Sequence, residues 1–169
     1  LRQLLITMGG VDQPNATGQV LQALKTCALP ADCRITVVMG LTAPWLQNVR
    51  ELAVQMPWPT EVVVNVNDMA QRMADSDLAI GAAGSTSWER CCLGLPTLMV
   101  VLAENQEEAA VHLQNAGAAN CLEFSGLLHQ DLHAQLQGLI DQHEQLGQMS
   151  ACASAITDGL GVERMVATM

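Results

Sequence analysis

Asp77-Leu78-Ala79-Ile80-Gly81-Ala82-Ala83-Gly84-Ser85-Thr86-Ser87-Trp88-Glu89-Arg90 is the stretch whose reading decides the fold. Leu78 to Ile80 is a short apolar run, the pattern of a buried strand. Gly81 to Gly84 are small and let the backbone turn sharply and be approached closely. Ser85, Thr86 and Ser87 then open a helix, with Glu89 in its first turns and Trp88 read as packing. A strand, a small-residue turn and a hydroxyl-rich helix start form a natural anion site, because the first N–H groups of a helix lack internal acceptors and its dipole favours negative charge. The same residues also describe an ordinary strand–helix turn with a Ser N-cap.

Working outward, strand and helix alternate about six times. Leu4 to Met8 is a continuous apolar run closed by Gly9-Gly10. Val11-Asp12-Gln13-Pro14-Asn15 has turn chemistry, with Asn15 or Thr17 able to cap a helix whose apolar stripe is Val20, Leu21 and Leu24. Ile35 to Met39 is a second strand ended by Gly40. Pro44 suits the first turn of a helix reaching about Gln55. Val62 to Val64 is a third strand, Asn65-Val66-Asn67 a loop, and Asp68 to Ala74 a short helix. After the opening stretch, Thr97 to Leu102 is a fifth strand, a helix from Glu104 ends near Gly117, and Ala119 to Leu122 is a sixth strand. Leu128, Leu132, Leu136, Leu139 and Ile140 stripe a helix, and a last helix is predicted over residues 162–167.

Apolar runs this continuous belong to strands covered on both faces. The sequence therefore predicts an α/β, doubly wound, Rossmann-like parallel six-stranded sheet in a single domain over residues 1–169, with strand order 3-2-1-4-5-6. In that order strands 1 and 4 are neighbours at the switch point, where ligands bind outside the carboxyl ends of the strands. The Gly9-Gly10 turn and the Gly81–Ser85 turn then converge on one crevice, which suits a phosphate-bearing ligand.

Composition narrows the partner. With 17 acidic and 7 basic residues the formal net charge is −10, which argues against a broad surface for nucleic acid or anionic membrane. Six cysteines form no C-x-x-C pair and no zinc-finger spacing, so they are read as packing, with Cys91-Cys92 core or near-core, and no metal or cofactor is expected. No apolar run approaches a membrane span and no signal peptide is evident, so a cytoplasmic location is expected. G-x-G-x-x-G after strand 1 and the P-loop motif are both missing, which disfavours NAD and standard ATP chemistry. His112, His129, His133 and His143 fall away from the crevice. The Asn15-Ala16-Thr17 sequon has no use in a cytoplasmic chain. The chain opens at Leu1 almost directly on a strand, and an upstream segment is expected.

Gly9-Gly10-Val11-Asp12 with Asn15-Ala16-Thr17, the long Asp77–Arg90 motif, Gly94-Leu95-Pro96 and Ala103-Glu104-Asn105-Gln106 together carry a family resemblance. They resemble the C-terminal domain of the UDP-2,4-diacetamido-2,4,6-trideoxy-β-L-altropyranose hydrolase family of pseudaminic-acid biosynthesis. More broadly they are similar to the C-terminal halves of GT-B glycosyltransferases of the family 28 type, which include the lipid II-forming N-acetylglucosaminyltransferase. The resemblance implies a two-domain enzyme with a UDP-sugar in its cleft and this chain as the UDP-binding half. It implies uracil held by backbone groups of Val66, Asn67 and Met69, ribose by Glu89, and pyrophosphate by Gly84, Ser85 and Thr86. Asn105 and Gln106 would stand near the sugar, and Gly10 would line the cleft, with Asp12 and Asn15 shaping its loop. The general base would be a His on the N-terminal domain, leaving no catalytic residue here and no turnover by this chain alone. Val11 stands where the family has a small polar residue. A glycosyltransferase half and a non-catalytic sugar-nucleotide-binding subunit are the alternatives, and the face toward the absent domain makes a homodimer of this chain conceivable. Each assignment has a plainer rival: Asn105 as a helix cap, Asp12 and Asn15 as turn formers, Glu89 as a first-turn acid complementing the dipole.

Overall fold

The computed structural model describes residues 1–160; the helix expected over residues 162–167 lies outside them. Six strands and seven α-helices follow one another: β1 (Gln3–Thr7), α1 (Ala16–Leu24), β2 (Arg34–Met39), α2 (Leu46–Val54), β3 (Thr60–Val64), α3 (Met69–Ala74), β4 (Leu78–Ala82), α4 (Thr86–Cys92), β5 (Thr97–Val101), α5 (Glu107–Asn115), β6 (Ala119–Glu123), α6 (Leu128–Asp141) and α7 (His143–Ile156). A single 3₁₀ turn, Glu104–Gln106, leads into α5. All pairings are parallel, in the order β3-β2-β1-β4-β5-β6 that the sequence predicts. This is an α/β Rossmann-like sheet.

Alternation of side chains along each strand feeds two layers. Leu4 and Ile6 of β1 join Ile35, Val37, Leu78, Ile80, Leu98 and Val100 on one face, under Val20, Leu21 and Leu24 of α1 and Leu132, Leu136 and Leu139 of α6. Leu5, between them, faces the other way with Val38, Ala79, Met73 and Leu95. Ala83, Cys91, Met99, Ala110 and Leu113 form a third cluster. Full burial of a leucine or isoleucine contributes about 1.5–3 kcal/mol, so this aliphatic set replaces the aromatic core the composition denies.

Two details fix β1 against β4. The Asp77 carboxylate accepts the N–H groups of Arg2 (2.6 Å) and Gln3 (2.9 Å), pinning the amino ends. In register, Leu5 stands beside Ala79 and Thr7 beside Gly81, so the turns after these strands leave the sheet side by side.

Several local expectations are corrected. β3 is the edge strand that the predicted order makes it, but Val62, Val63 and Val64 are only half-buried rather than covered on both faces. Pro44 lies in a turn, and α2 begins at Leu46. Trp88 is not packing: it is 45% exposed, because α4 turns that side away from the sheet. Cys91 is buried but Cys92, one residue on, is exposed. No described helix is long and apolar enough to cross a membrane.

Candidate functional site

The chain behind β1 is held by its own side chains. Asp12 has φ 46° and Asn15 φ 59°, left-handed conformations that Asn and Asp tolerate better than most residues. The Asp12 carboxylate, 5% exposed, accepts the N–H groups of Ala16 (2.8 Å) and Thr17 (2.9 Å). Asn15 accepts the N–H of Gly18 at 3.2 Å. The first amides of α1 are thereby occupied, and both residues are caps as well as turn formers.

The turn between β4 and α4 is the opposite case. Ser85 occupies the N-cap position, but its side chain makes no capping hydrogen bond, so the expected Ser cap is not formed. Ser87 N–H bonds the Gly84 carbonyl (3.0 Å) and Trp88 N–H that of Ser85 (3.3 Å). The amides of Gly84, Ser85 and Thr86 find no acceptor among the described residues. Two neighbouring turns thus differ in kind: one has satisfied its amides, the other presents them.

A crevice of about 280 Å³ opens at the carboxyl ends of β1, β2 and β3, with Thr86 of α4 on its wall. It is lined by Thr7, Gly9, Gly10, Val38, Met39, Gly40, Asn65, Val66, Met69 and Thr86. Of the residues picked from sequence, Gly10, Val66, Met69 and Thr86 meet there. Gly84 and Ser85 adjoin Thr86 in the chain, and Asn67 lies between Val66 and Met69. Glu89 is exposed one turn along α4. Asn105 and Gln106 do not line this crevice; they sit beyond β5, Asn105 exposed and Gln106 accepting the N–H of Leu102 through Oε1 at 3.0 Å. That bond commits the oxygen end of the Gln106 amide to the protein. Asn105 caps no helix.

Sequence reading missed Met39, Gly40 and Asn65. Gly40 marks only a strand end in sequence, yet a Cβ there would collide with the Gly10 carbonyl, so β2 and the β1 turn approach as closely as backbones can. Asn65 has φ 53° and turns the chain back toward the crevice. The larger miss is Arg90. It is 1% exposed, with Nη2 donating to the Ala82 carbonyl (2.7 Å) and to Ser87 Oγ (2.9 Å). Burial pushes its pKa down to about 10, with smaller opposing contributions from Cys91 and Glu89, so it stays cationic at neutral pH.

Two larger grooves, about 510 Å³ each, open at the amino ends of the strands, one beside Ser76, Asp77 and Pro96, the other beside Arg34, Thr60 and Glu61. Size alone would choose neither, since a groove of about 550 Å³ lies beside Asp141, His143 and Gln148. In an open parallel sheet the carboxyl ends at the switch point are the better guide, and there the open amides lie. No described group of His, Cys, Asp and Glu could hold a metal ion. The histidines lie on helices away from the crevice; His129 Nε2 meets Thr26 Oγ1 at 2.9 Å.

The chain is similar in sequence and in fold to known proteins. Over 99% of its length the chain is 27% identical to the spore coat polysaccharide biosynthesis protein SpsG of Bacillus subtilis, of which it covers 50%. Over 90% it is 30% identical to a UDP-N-acetylglucosamine–N-acetylmuramyl-(pentapeptide) pyrophosphoryl-undecaprenol N-acetylglucosamine transferase of Desulfitobacterium hafniense, covering 44% of it. The chain thus spans half or less of these relatives. Among solved structures, Acinetobacter baumannii MurG superposes with a TM-score of 0.84 at 22% identity, over 98% of this chain and 48% of that one. The UDP-GlcNAc 2-epimerase of Neisseria meningitidis, bound to UDP-GlcNAc, superposes at 0.72 and 18%, over 99% and 43%. These structural likenesses establish the fold. The sequence itself matches one domain type from residue 4 to residue 164, and on that match the chain belongs to the glycosyltransferase family 28 C-terminal domain family.

Proposed function

We propose that this chain is the UDP-binding half of a UDP-sugar hydrolase that releases UDP and a free diacetamido-trideoxy sugar for pseudaminic-acid synthesis. The observation that carries the nucleotide part is the turn of Gly84, Ser85 and Thr86, whose amides have no acceptor in the protein and which borders the switch-point crevice. Three unsatisfied donors so close together suit a diphosphate, since charge-assisted hydrogen bonds to backbone N–H are among the stronger ones. Uracil would lie against Val66, Asn67 and Met69, where Asn65 bends the loop. Glu89 would accept from the ribose hydroxyls. Gly10 would line the passage to the sugar, and Asn105 and Gln106, the latter through Nε2, would approach the sugar from β5.

No residue of the crevice is a general base in this reading; that group, and the attack of water on the anomeric carbon, belong to a second domain. In this reading a single domain over residues 1–169 acts in the cytoplasm with such a partner in cis, in keeping with a match to half or less of each relative.

A second reading has its own support: relatives at about 30% identity bear the name of an N-acetylglucosamine transferase, which fits a donor-binding half of a glycosyltransferase. Calorimetry with UDP tests the shared part. Binding of UDP in preference to ADP is expected; no binding at millimolar UDP alongside clear binding of another nucleotide would sink it. Product analysis of the longer protein, free sugar against glycoside, separates the two readings.

A further inference from the structure

Arg90 is the buried group that the proposed site leaves unused. Charged side chains are almost never fully buried without a partner, because an unpaired charge away from water is costly. No carboxylate among the described residues pairs with it. Glu89, its neighbour in sequence, is exposed to solvent. Of its guanidinium nitrogens only Nη2 is partnered; Nε and Nη1 are buried with no acceptor.

Its placement is specific. Nη2 ties the carbonyl of Ala82, where β4 ends, to the hydroxyl of Ser87 on α4, and so braces the turn between them from beneath. The guanidinium also lies over Gly81. A Cβ built there would collide with Nη1 and come within 3.0 Å of the Thr7 carbonyl oxygen. Thr7 lines the crevice, and Thr86 beyond the braced turn does as well. The unpartnered face of the cation therefore lies between the ends of β1 and β4, next to Thr7 of the crevice lining. Burial lowers its pKa, and an anion in that crevice would offset the same cost.

We propose that Arg90 is a positioning residue for the diphosphate: it holds the Gly84–Thr86 amides open and supplies, through the turn and without touching the ligand, the positive charge that favours a doubly phosphorylated nucleotide over its nucleoside. The inference rests on the UDP reading above and adds an electrostatic component to an otherwise backbone-made site. At an effective dielectric of about 20, a unit charge within several ångströms of an anion changes its affinity by at least about tenfold.

The test compares UDP with uridine, which lacks the diphosphate, by calorimetry on the parent chain, Arg90→Gln and Arg90→Lys, each checked for folding by circular dichroism. Arg90→Gln is expected to weaken UDP by at least about tenfold and uridine by less than about twofold, and Arg90→Lys to recover most of the UDP affinity. Equal weakening of both ligands makes Arg90 a structural brace only and overturns the proposal. So does a folded Arg90→Gln with an unchanged UDP-to-uridine ratio, or an Arg90→Lys as impaired as Arg90→Gln. If Arg90→Gln does not fold, the Gly81→Ala/Arg90→Gln double variant, whose added methyl occupies space the guanidinium leaves, carries the same comparison. A parent chain that binds UDP no better than uridine overturns the UDP reading itself, whereas a parent that prefers UDP with insensitive variants overturns only the role of Arg90.

Discussion

Replacing Asp12 with alanine tests whether the loop behind β1 is held by one buried carboxylate. The group accepts two amides, those of Ala16 and Thr17, from an almost wholly buried position. Alanine removes both acceptors, and the first turn of α1 keeps two donors that water reaches poorly. A hydrogen bond to a charged group is worth about 1.5–3 kcal/mol, so losing two would cost roughly 3–6 kcal/mol if nothing relaxed. Relaxation of the loop and entry of water reduce this, and N-cap losses are typically about 1–2 kcal/mol, so a net loss of about 2–4 kcal/mol is expected. For a chain of this size each kcal/mol lowers Tm by about 2–4 °C, giving a fall of roughly 4–16 °C. Urea denaturation followed by circular dichroism measures the loss directly. Asp12→Asn keeps one acceptor oxygen but turns an NH2 group toward the second N–H, and should fall between parent and alanine. An Asp12→Ala variant within about 0.5 kcal/mol of the parent, the range of ordinary surface changes, would refute the reasoning.

Three other outcomes follow from the same geometry. Gly81→Ala forces a methyl against Arg90 Nη1 and is expected to cost about 1–3 kcal/mol, read by thermal melting, with part of the loss regained in Gly81→Ala/Arg90→Gln. Glu89→Ala, at an exposed position, is expected to leave Tm within about 2 °C of the parent yet weaken UDP by roughly tenfold, while 2′-deoxy-UDP, lacking one ribose hydroxyl, loses less; equal affinity for UDP in parent and variant would remove the ribose assignment. Burial raises the Cys33 thiol to about 11, so between about pH 9 and pH 11 the unfolded chain releases a proton that the folded chain keeps; stability is full below pH 9 and falls as pH rises through that window, and Cys33→Ala should flatten the fall seen by denaturant titration.

The sheet was legible because its signals are local. Leu78 to Ile80 and Val37 to Met39 are continuous apolar runs closed by glycine, and parallel strands joined by right-handed crossovers leave few orders to choose from. The two turns of the crevice were legible in part for the same reason: Gly9-Gly10 and Gly84 can be seen without knowing what surrounds them, but Gly81 and Ala82, read as turn, still belong to β4. Arg90 was not. An arginine on an amphipathic helix reads as surface, and its burial depends on Gly81, nine positions earlier in the chain, having no side chain to fill the space. Trp88 failed in the reverse direction, since hydrophobicity by itself does not say which side of α4 meets the sheet. Cys91 and Cys92 show the same limit, adjacent in sequence with one buried and one exposed. The close approach of Gly40 to Gly10 is likewise a property of two strands in register, invisible in either segment alone.

The half-covered edge at β3 bears on how the molecule behaves in concentrated solution. Thr60-Glu61-Val62-Val63-Val64 has strong β propensity, no proline or glycine, and one charge. That charge, Glu61, accepts from Thr36 Oγ1 at 3.2 Å and pairs with Arg72 of α3 at 3.3 Å, so the acid is tethered beside the rim. An open strand edge of this composition is a template on which a second copy can add by backbone hydrogen bonding, and a fixed acidic side chain is one means of discouraging it. Resistance of the β3 edge to a second copy, as distinct from the chain's folding stability, therefore draws on one ion pair at the rim of the sheet.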